Sequence, residues 1–462
     1  MQRLSQQIKP RSASRPTRVL QFGEGGFLRA FCDWMIDVAN EKGTMDTGIT
    51  IVQPIAKGML PLLNAQDNLY TLLLRGKENG EVKKDVRVIT SINDTINPYN
   101  NFDAFLKAAH NEDLRFVISN TTEAGIVYTG TDKYDDKPQA SFPGKVTRFL
   151  HERYLAGKKG LVFLPCELID HNGDELKEAV LKNAKLWNLD EKFINWIETE
   201  NIFTNTLVDR IVTGYPRGEA EAIFEELGYE DQQLDVAEPF GLWVIEGPLS
   251  IAEELKLPKA GLPVIFTEDV KPYKLRKVRM LNGAHTSMVL AAYLAGFETV
   301  GECMADKDVR AYMDKALTDE IMPVINLPKN ELQAFKEAIF ERFENPFNRH
   351  LLLSIALNSV SKFRARVLPT ILEYREMKGE LPRILTFSMA ALIAFYSKGD
   401  GAQDDQEVLD FFTKKPSVHD VLANESFWGE DLTKVPGFEA AVAKYYETIL
   451  EKGAKAAIKE VI

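Results

Sequence analysis

Cysteine is scarce in this chain. Cys32, Cys166 and Cys303 are the only three among 462 residues, and so few, so far apart, exclude a disulfide framework and offer no zinc spacing. A reducing, cytoplasmic setting is expected. Histidine is nearly as sparse: His110, His151, His171, His285, His350 and His419 are scattered without a closely spaced pair, so no metal is expected. Positive charge is in deficit, with 56 basic against 68 acidic residues and a formal net charge of −12. That balance argues against a nucleic-acid partner, whose phosphates call for a basic surface. Long apolar runs are missing too. The best, Leu385 to Tyr396, falls short of the roughly 20 residues that span a bilayer and reads as a buried helix. The N-terminus is Arg/Ser-rich and free of acids up to Glu24, but it has no apolar stretch of the secretory kind. Neither a Gly-x-Ser-x-Gly elbow nor a Walker loop occurs, which disfavours serine hydrolase and kinase chemistry.

What is present is a globular composition, 45% hydrophobic and 27% charged, on a chain long enough for two or three domains. From Arg18 strand-like and helix-like segments alternate: Arg18–Phe22, a helical Phe27–Asn40, then Ile49–Val52, Tyr70–Leu74, Val86–Thr90, a helical Phe102–Ala109, Phe116–Ser119 and Gly160–Leu164. This alternation predicts a mostly parallel α/β sheet. Leu242–Glu246 and Val264–Thr267 add strands around a helical insertion. Beyond about Pro272 helical patterns dominate, at His285–Gly296, Asp308–Ile321, Glu331–Phe343, Leu351–Phe363, Pro382–Ser397 and Phe438–Lys452. The expected organisation is an α/β domain over 1–271 and an all-helical domain over 272–462, sharing a cleft.

The first strand runs into Gly23-Glu24-Gly25-Gly26-Phe27 and then a helix. This is the setting of a dinucleotide-binding turn: one glycine for the tight turn, one for close approach of a pyrophosphate, and a helix N-terminus beyond. Leu28 stands where the third glycine of the full fingerprint belongs, and an ordinary strand-to-helix turn is the competing reading. Gln53, not an acid, follows the second strand. It can hydrogen-bond a ribose hydroxyl, which leans toward NAD. The polar strand end Ser119-Asn120-Thr121-Thr122-Glu123 suits the border of a nicotinamide ribose or a plain capping loop.

The most informative stretch runs from Lys277 to Asn282 and His285. At about 100° per residue, Lys277 lies at 0°, His285 at about 80° and Asn282 at about 140°, on one arc. Leu281 and Met288 share that arc, and Lys274, Arg276 and Arg279 crowd it with cations. Such surroundings favour a neutral amine, able to take a proton from an alcohol as hydride leaves. Asn282 can hold the substrate oxygen and His285 can place the hydroxyl. The competing reading is a turn at Asn282-Gly283 on a solvated basic helix.

These residues resemble the Lys-x4-Asn-x2-His signature of the polyol-specific long-chain dehydrogenase/reductase (mannitol dehydrogenase) family. The resemblance extends in order through Gly23-x-Gly25-Gly26-Phe27-x-Arg29-Ala30, Cys166-Glu167 with Asn172-Gly173, Val208-Asp209-Arg210-Ile211 and Asn345-Pro346. It implies a Rossmann-type N-terminal domain, a helical C-terminal domain, NAD(H), no metal and a lysine general acid/base: Lys277, with Asn282 and His285 as its partners. It also implies cofactor contacts from Gly23, Gly25, Gly26, Phe27, Gln53, Asn120 and Thr122, and substrate contacts from Glu167, Asn172 and Asp209.

The stretches from Gln66, Pro165 and Leu281 look like the family's sugar-acid branch, which implies interconversion of D-altronate and D-tagaturonate. The mannonate–fructuronate pair, mannitol or another polyol, and a non-catalytic nucleotide-binding regulator are the rivals. One departure is Cys166-Glu167-Leu168 where mannitol dehydrogenases carry Cys-Asp-Asn. That removes an amide which Asn172 would have to replace. A sugar acid needs a further cation, since a guanidinium binds a carboxylate through paired hydrogen bonds. Lys362, Arg364 and Arg366 lie where the family keeps such cations. No helical face takes all three, and Lys362 with Arg364 is the expected choice. The islands Lys274–Arg279 and Lys362–Arg366 stand out against the acidic background.

Overall fold

A computed structural model describes residues 1–11, 15–122 and 124–462, so Glu123 of the polar strand end lies outside the described residues. The chain divides into two compact units, Met1–Arg75 with Lys83–Val270, and Gly76–Val82 with Lys271–Ile462.

The first unit holds twelve strands in all or part: β1 Thr17–Phe22, β2 Gly48–Val52, β3 Tyr70–Glu78, β4 Glu81–Ile89, β5 Ile92–Ile96, β6 Phe116–Ser119, β7 Val162–Pro165, β8 Ile202–Phe203, β9 Asn205–Asp209, β10 Asp235–Ala237, β11 Leu242–Glu246 and β12 Val264–Thr267. Six of them form one sheet in the order β5-β2-β1-β6-β7-β8, with every pair parallel. Counted along that sheet the order is that of a Rossmann fold, whose ligand crevice lies at the strand C-termini where the order reverses. Here the reversal falls between β2 and β6, on either side of β1. Phe22 is in register with Val52 and with Ser119, so the three strand ends and their loops lie together.

The strands expected in a single sheet in fact occupy three. Two smaller sheets run in the orders β10-β3-β4 and β12-β11-β9, with β3 and β11 at their centres. Sequence patterning missed β5, whose Ile-Asn-Asp-Thr-Ile reads as a turn; as the sheet's edge it buries only its two isoleucines deeply. The core of the main sheet is closed on one face by Phe31, Met35, Ile36 and Trp243, and on the other by Phe105, Phe149 and Phe193, all essentially inaccessible. All three cysteines are free and buried.

The second unit is helical apart from the tip of the β3–β4 hairpin, where the Gly80 N–H donates to Glu341 Oε1 at 2.7 Å. Its centre is the helix Arg383–Lys398, buried from Ile384 to Tyr396. No helix among the described residues is long and apolar enough to cross a membrane. The helix expected over Leu351–Phe363 is broken into Leu352–Ile355 and Ser359–Arg366. Asn358 sits between them at φ 53°, a left-handed conformation that a right-handed helix cannot contain and that asparagine tolerates. The stretch Asp308–Ile321 is an α-helix to Lys315 that continues as a π-helix over Ala316–Ile321.

Candidate active site

In the first unit β1 ends at Phe22 and the chain turns through Gly23–Gly25 into a continuous helix made of Gly26–Leu28, a π-helical Arg29–Asp33 and Trp34–Glu41. Gly23 has φ +123°, and a Cβ there would come within 3.0 Å of the Asn120 carbonyl, so only glycine fits. Leu28, in place of a third glycine, fills the space beside Gly23. Buried side chains hold the loop from below. Gln21 Nε2 donates to the Gly23 carbonyl at 3.1 Å, and Arg29 Nε to that of Glu24 at 3.2 Å. Arg29 also donates to the Gln233 carbonyl and lies 3.6 Å from Asp235. Carbonyls pinned inward leave the first N–H groups of the helix for an anion. Phe27, half-buried, stacks on Phe31 with 5.0 Å between rings.

The loops after β1, β2 and β6 line a cavity of about 690 Å³ bordered by Gly23, Glu24, Gly25, Asn120 and Thr122. These fit a dinucleotide: a glycine turn that a Cβ would block, a helix N-terminus, and a buried Glu24 oxygen without a hydrogen-bond partner. Gln53 borders this region at the end of β2 but is buried, and its Nε2 donates to Ile55 O at 2.8 Å and Ala56 O at 3.3 Å. Thr122 adopts φ 73°, a strained conformation for a β-branched residue.

Glu167 and Asn172 are positioned for other work. Glu167 is 2% exposed and accepts from Ser119 Oγ at 3.0 Å and from Thr121 N and Oγ1 at 2.9 Å, which shapes the β6 loop. Burial raises its pKa, and these hydrogen bonds oppose the rise. Asn172 is 1% exposed and donates to the carbonyls of Pro165, Glu167 and Thr206 while accepting from Thr206 N. Its amide is fully engaged with backbone, so it does not stand in for the amide missing after Cys166. Asn172→Ala should therefore cost about 2–4 kcal/mol of stability, seen as a lower urea midpoint. A midpoint equal to wild type would refute this role. Asp209 closes β9 opposite Leu242 and is buried. Its neighbour Arg210 stacks over Trp34 and donates to the carbonyls of Ala30, Pro239 and Phe240.

In the second unit Lys277–Gly283 is π-helical, followed by the α-helix Ala284–Leu294. The regular wheel assumed from sequence does not apply here. A π turn closes between i and i+5, so Lys277 and Asn282 come one above the other. Two of the cations expected to crowd Lys277 have acidic or aromatic partners. Arg279 forms a two-pronged pair with Glu373, and Arg276 lies 4.4 Å over the Phe335 ring and 3.8 Å from Glu331. His285 stacks flat on Phe343, 3.9 Å between rings, and meets His350 edge-on at 5.3 Å. Its Nε2 is buried without a hydrogen-bond partner. Burial, then His350, Arg342 and Arg366, hold its pKa well below the ordinary value, so the ring is neutral.

The late cations divide between two faces. Lys362 and Arg366, four apart on Ser359–Arg366, share one face, and burial lowers the pKa of each, Arg366 adding to the fall at Lys362 and Asp404 opposing it. Lys362 Nζ donates to Ile355 O at 2.9 Å. Arg364 is exposed on another face, its guanidinium against Gly429. Lys362 thus shares its face with Arg366 and not with Arg364, the partner expected from sequence. The four-residue spacing was the available signal. Arg342, His350 and Phe343, which surround His285, carried none. Among the described residues no group of three or more His, Cys, Asp or Glu could hold a metal ion.

Comparison with known proteins matches the mannitol dehydrogenase Rossmann domain over residues 17–259 and the mannitol dehydrogenase C-terminal domain over 269–450. Altronate oxidoreductases from Escherichia coli O139:H28 and from Shigella flexneri are 49% identical, over 97% of this chain and 97% of theirs. Among solved structures, Pseudomonas fluorescens mannitol 2-dehydrogenase, in ternary complex with NAD and D-mannitol, aligns with TM-score 0.71 at 24% identity, over 100% of this chain and 99% of its own. A D-sorbitol dehydrogenase in substrate-free form aligns with TM-score 0.81 at 23% identity, over 99% and 100%. These two share the fold.

Proposed function

Because the chain belongs to the mannitol dehydrogenase family, we propose that it is an NAD(H)-dependent oxidoreductase interconverting D-altronate and D-tagaturonate. The observation that carries this reading is the 49% identity, over nearly the full length, to altronate oxidoreductases. The setting is hexuronate catabolism in a bacterial cytoplasm. NAD(H), when bound, accepts or supplies the hydride. Lys277 is the general acid/base: in oxidation its amine takes the proton of the substrate hydroxyl, and in reduction its ammonium returns a proton to the carbonyl oxygen. Asn282, one π turn along, offers an amide to that oxygen as charge develops. His285 presents a neutral ring whose unpartnered Nε2 can take up one hydrogen bond from the substrate.

A sugar acid differs from a sugar alcohol by its carboxylate, and the Lys362–Arg366 face supports the acid. No ion pair to Arg366 occurs among the described residues. A shielded guanidinium in cationic company stabilises a bound anion more than it stabilises the empty fold. A nucleotide-binding regulator would have no use for a lysine beside an amide and a neutral imidazole. The test is a substrate panel followed by NADH absorbance, with altronate, mannonate and mannitol. Altronate should be turned over most efficiently; turnover of mannitol alone would overturn the sugar-acid reading, and a preference for mannonate would reassign the epimer.

A further inference from the structure

The residue that follows β2 in many dinucleotide-binding folds is an acid that accepts from the adenosine ribose and turns away a 2′-phosphate. Here that position is Gln53, followed by Pro54, which has no N–H. The Gln53 amide nitrogen is already engaged by the carbonyls of Ile55 and Ala56. A carboxylate nevertheless reaches this place from the glycine loop. Glu24 is 7% exposed, lines the cavity, and accepts from Met59 N, in the loop after β2, through Oε1 at 3.1 Å. Its other oxygen, Oε2, is buried and has no hydrogen-bond partner; nor has Gln53 Oε1. Gly58 covers both side chains closely: a Cβ there would come within 2.0 Å of Glu24 Oε1 and 2.5 Å of Gln53 Oε1.

Two unpartnered acceptors under one glycine call for donors. A ribose diol supplies two hydroxyl donors at adjacent carbons, whereas a 2′-phosphate brings only acceptors and negative charge. We propose that Glu24, from the glycine loop, takes the part of the missing β2 acid and selects the unphosphorylated adenosine ribose, with Gln53 Oε1 as second acceptor. The assignment rests on the NAD(H) reading above. Burial raises the Glu24 pKa, opposed by the Met59 N–H and by Arg29, as expected of a carboxylate short of a donor. Lys57 is the one basic side chain lining the cavity among the described residues. It is available to a 2′-phosphate once the carboxylate is neutral.

The test is fluorescence titration of the full-length protein with NADH and with NADPH, without sugar acid. In Glu24→Gln, NADH affinity should fall about tenfold and NADPH affinity should rise, moving their ratio by about 100-fold. Should Glu24→Gln melt below the assay temperature, Glu24→Asp carries the test: it keeps the charge, shortens the reach, and should bind NADH more weakly while still refusing NADPH. An unchanged ratio in Glu24→Gln, or NADPH binding by Glu24→Asp, overturns the assignment while leaving the dehydrogenase reading intact. A wild-type chain that binds neither nucleotide overturns both.

Discussion

Replacement of Lys277 by alanine should lower turnover by about 10³-fold, the usual worth of a placed general acid/base, while leaving NADH affinity within about twofold. The separation is expected because the groups assigned to the cofactor, Gly23 to Phe27 with Asn120 and Thr122, belong to the first unit, whereas Lys277 belongs to the second. The π-helical turn sharpens the expectation. Lys277 and Asn282 are brought toward one face by the i+5 closure of Lys277–Gly283, as the proposed sharing of one substrate oxygen by amine and amide requires. Asn282→Ala should accordingly lower turnover as well, by less than the lysine variant, and the double variant should lose less than the two single losses combined. Strict additivity would mean that the two groups do not share an oxygen. A loss of only a few-fold in Lys277→Ala would remove the lysine from the proton step.

The fold was open to sequence reading where hydrophobic period and turn chemistry act locally. β1 running into Gly23, the strand Phe116–Ser119 and the helix Phe438–Lys452 all follow from spacing alone. Partition of the strands into three sheets was not legible, because it depends on pairings between residues far apart, such as Leu242 with Asp209. The site divides in the same way. Gly23 declares itself by its place after a strand, and the lysine segment by residue types at close spacing. Glu167 and Asn172 announce polar chemistry in sequence, yet in the structure their polar atoms close backbone loops. That difference lies in which carbonyls and N–H groups happen to be near, which no local pattern encodes. Glu24 shows the converse. As the middle residue of a glycine turn it looks like filler, and only the distant Met59 N–H reveals where its carboxylate goes. The wheel built at a regular helical period placed His285 between Lys277 and Asn282. The π-helix changes the rotation per residue, and such an inserted turn leaves little trace in residue types.

Arg366 carries the second large expectation. In Arg366→Ala the KM for tagaturonate should rise by about 10–100-fold, the equivalent of a charge-assisted hydrogen bond lost to a carboxylate, with a smaller change in kcat. Selectivity for the uronate over the matching uncharged ketohexose should collapse, because only the acid loses a contact. Equal losses of kcat/KM on both substrates would show that Arg366 supports the fold around His285 and does not read the carboxylate. That alternative is a real competitor, since the Arg366 carbonyl lies 2.9 Å from where a Cβ on Gly283 would sit and the two helices pack closely. The placement of the two cations favours recognition. Lys362 and Arg366 stand four apart on one helical face, the lysine held by the Ile355 carbonyl, and both lose solvent there. Arg366→Lys separates the alternatives further. A single ammonium retains the charge but not the fork of two parallel donors, so it should recover part of the uronate selectivity and none of the geometry-dependent remainder. Arg364, exposed against Gly429 on another face, sets the contrast. Arg364→Ala should leave the uronate-to-ketohexose ratio at the wild-type value, and a collapse there instead would return the carboxylate site to the residue that sequence alone had favoured.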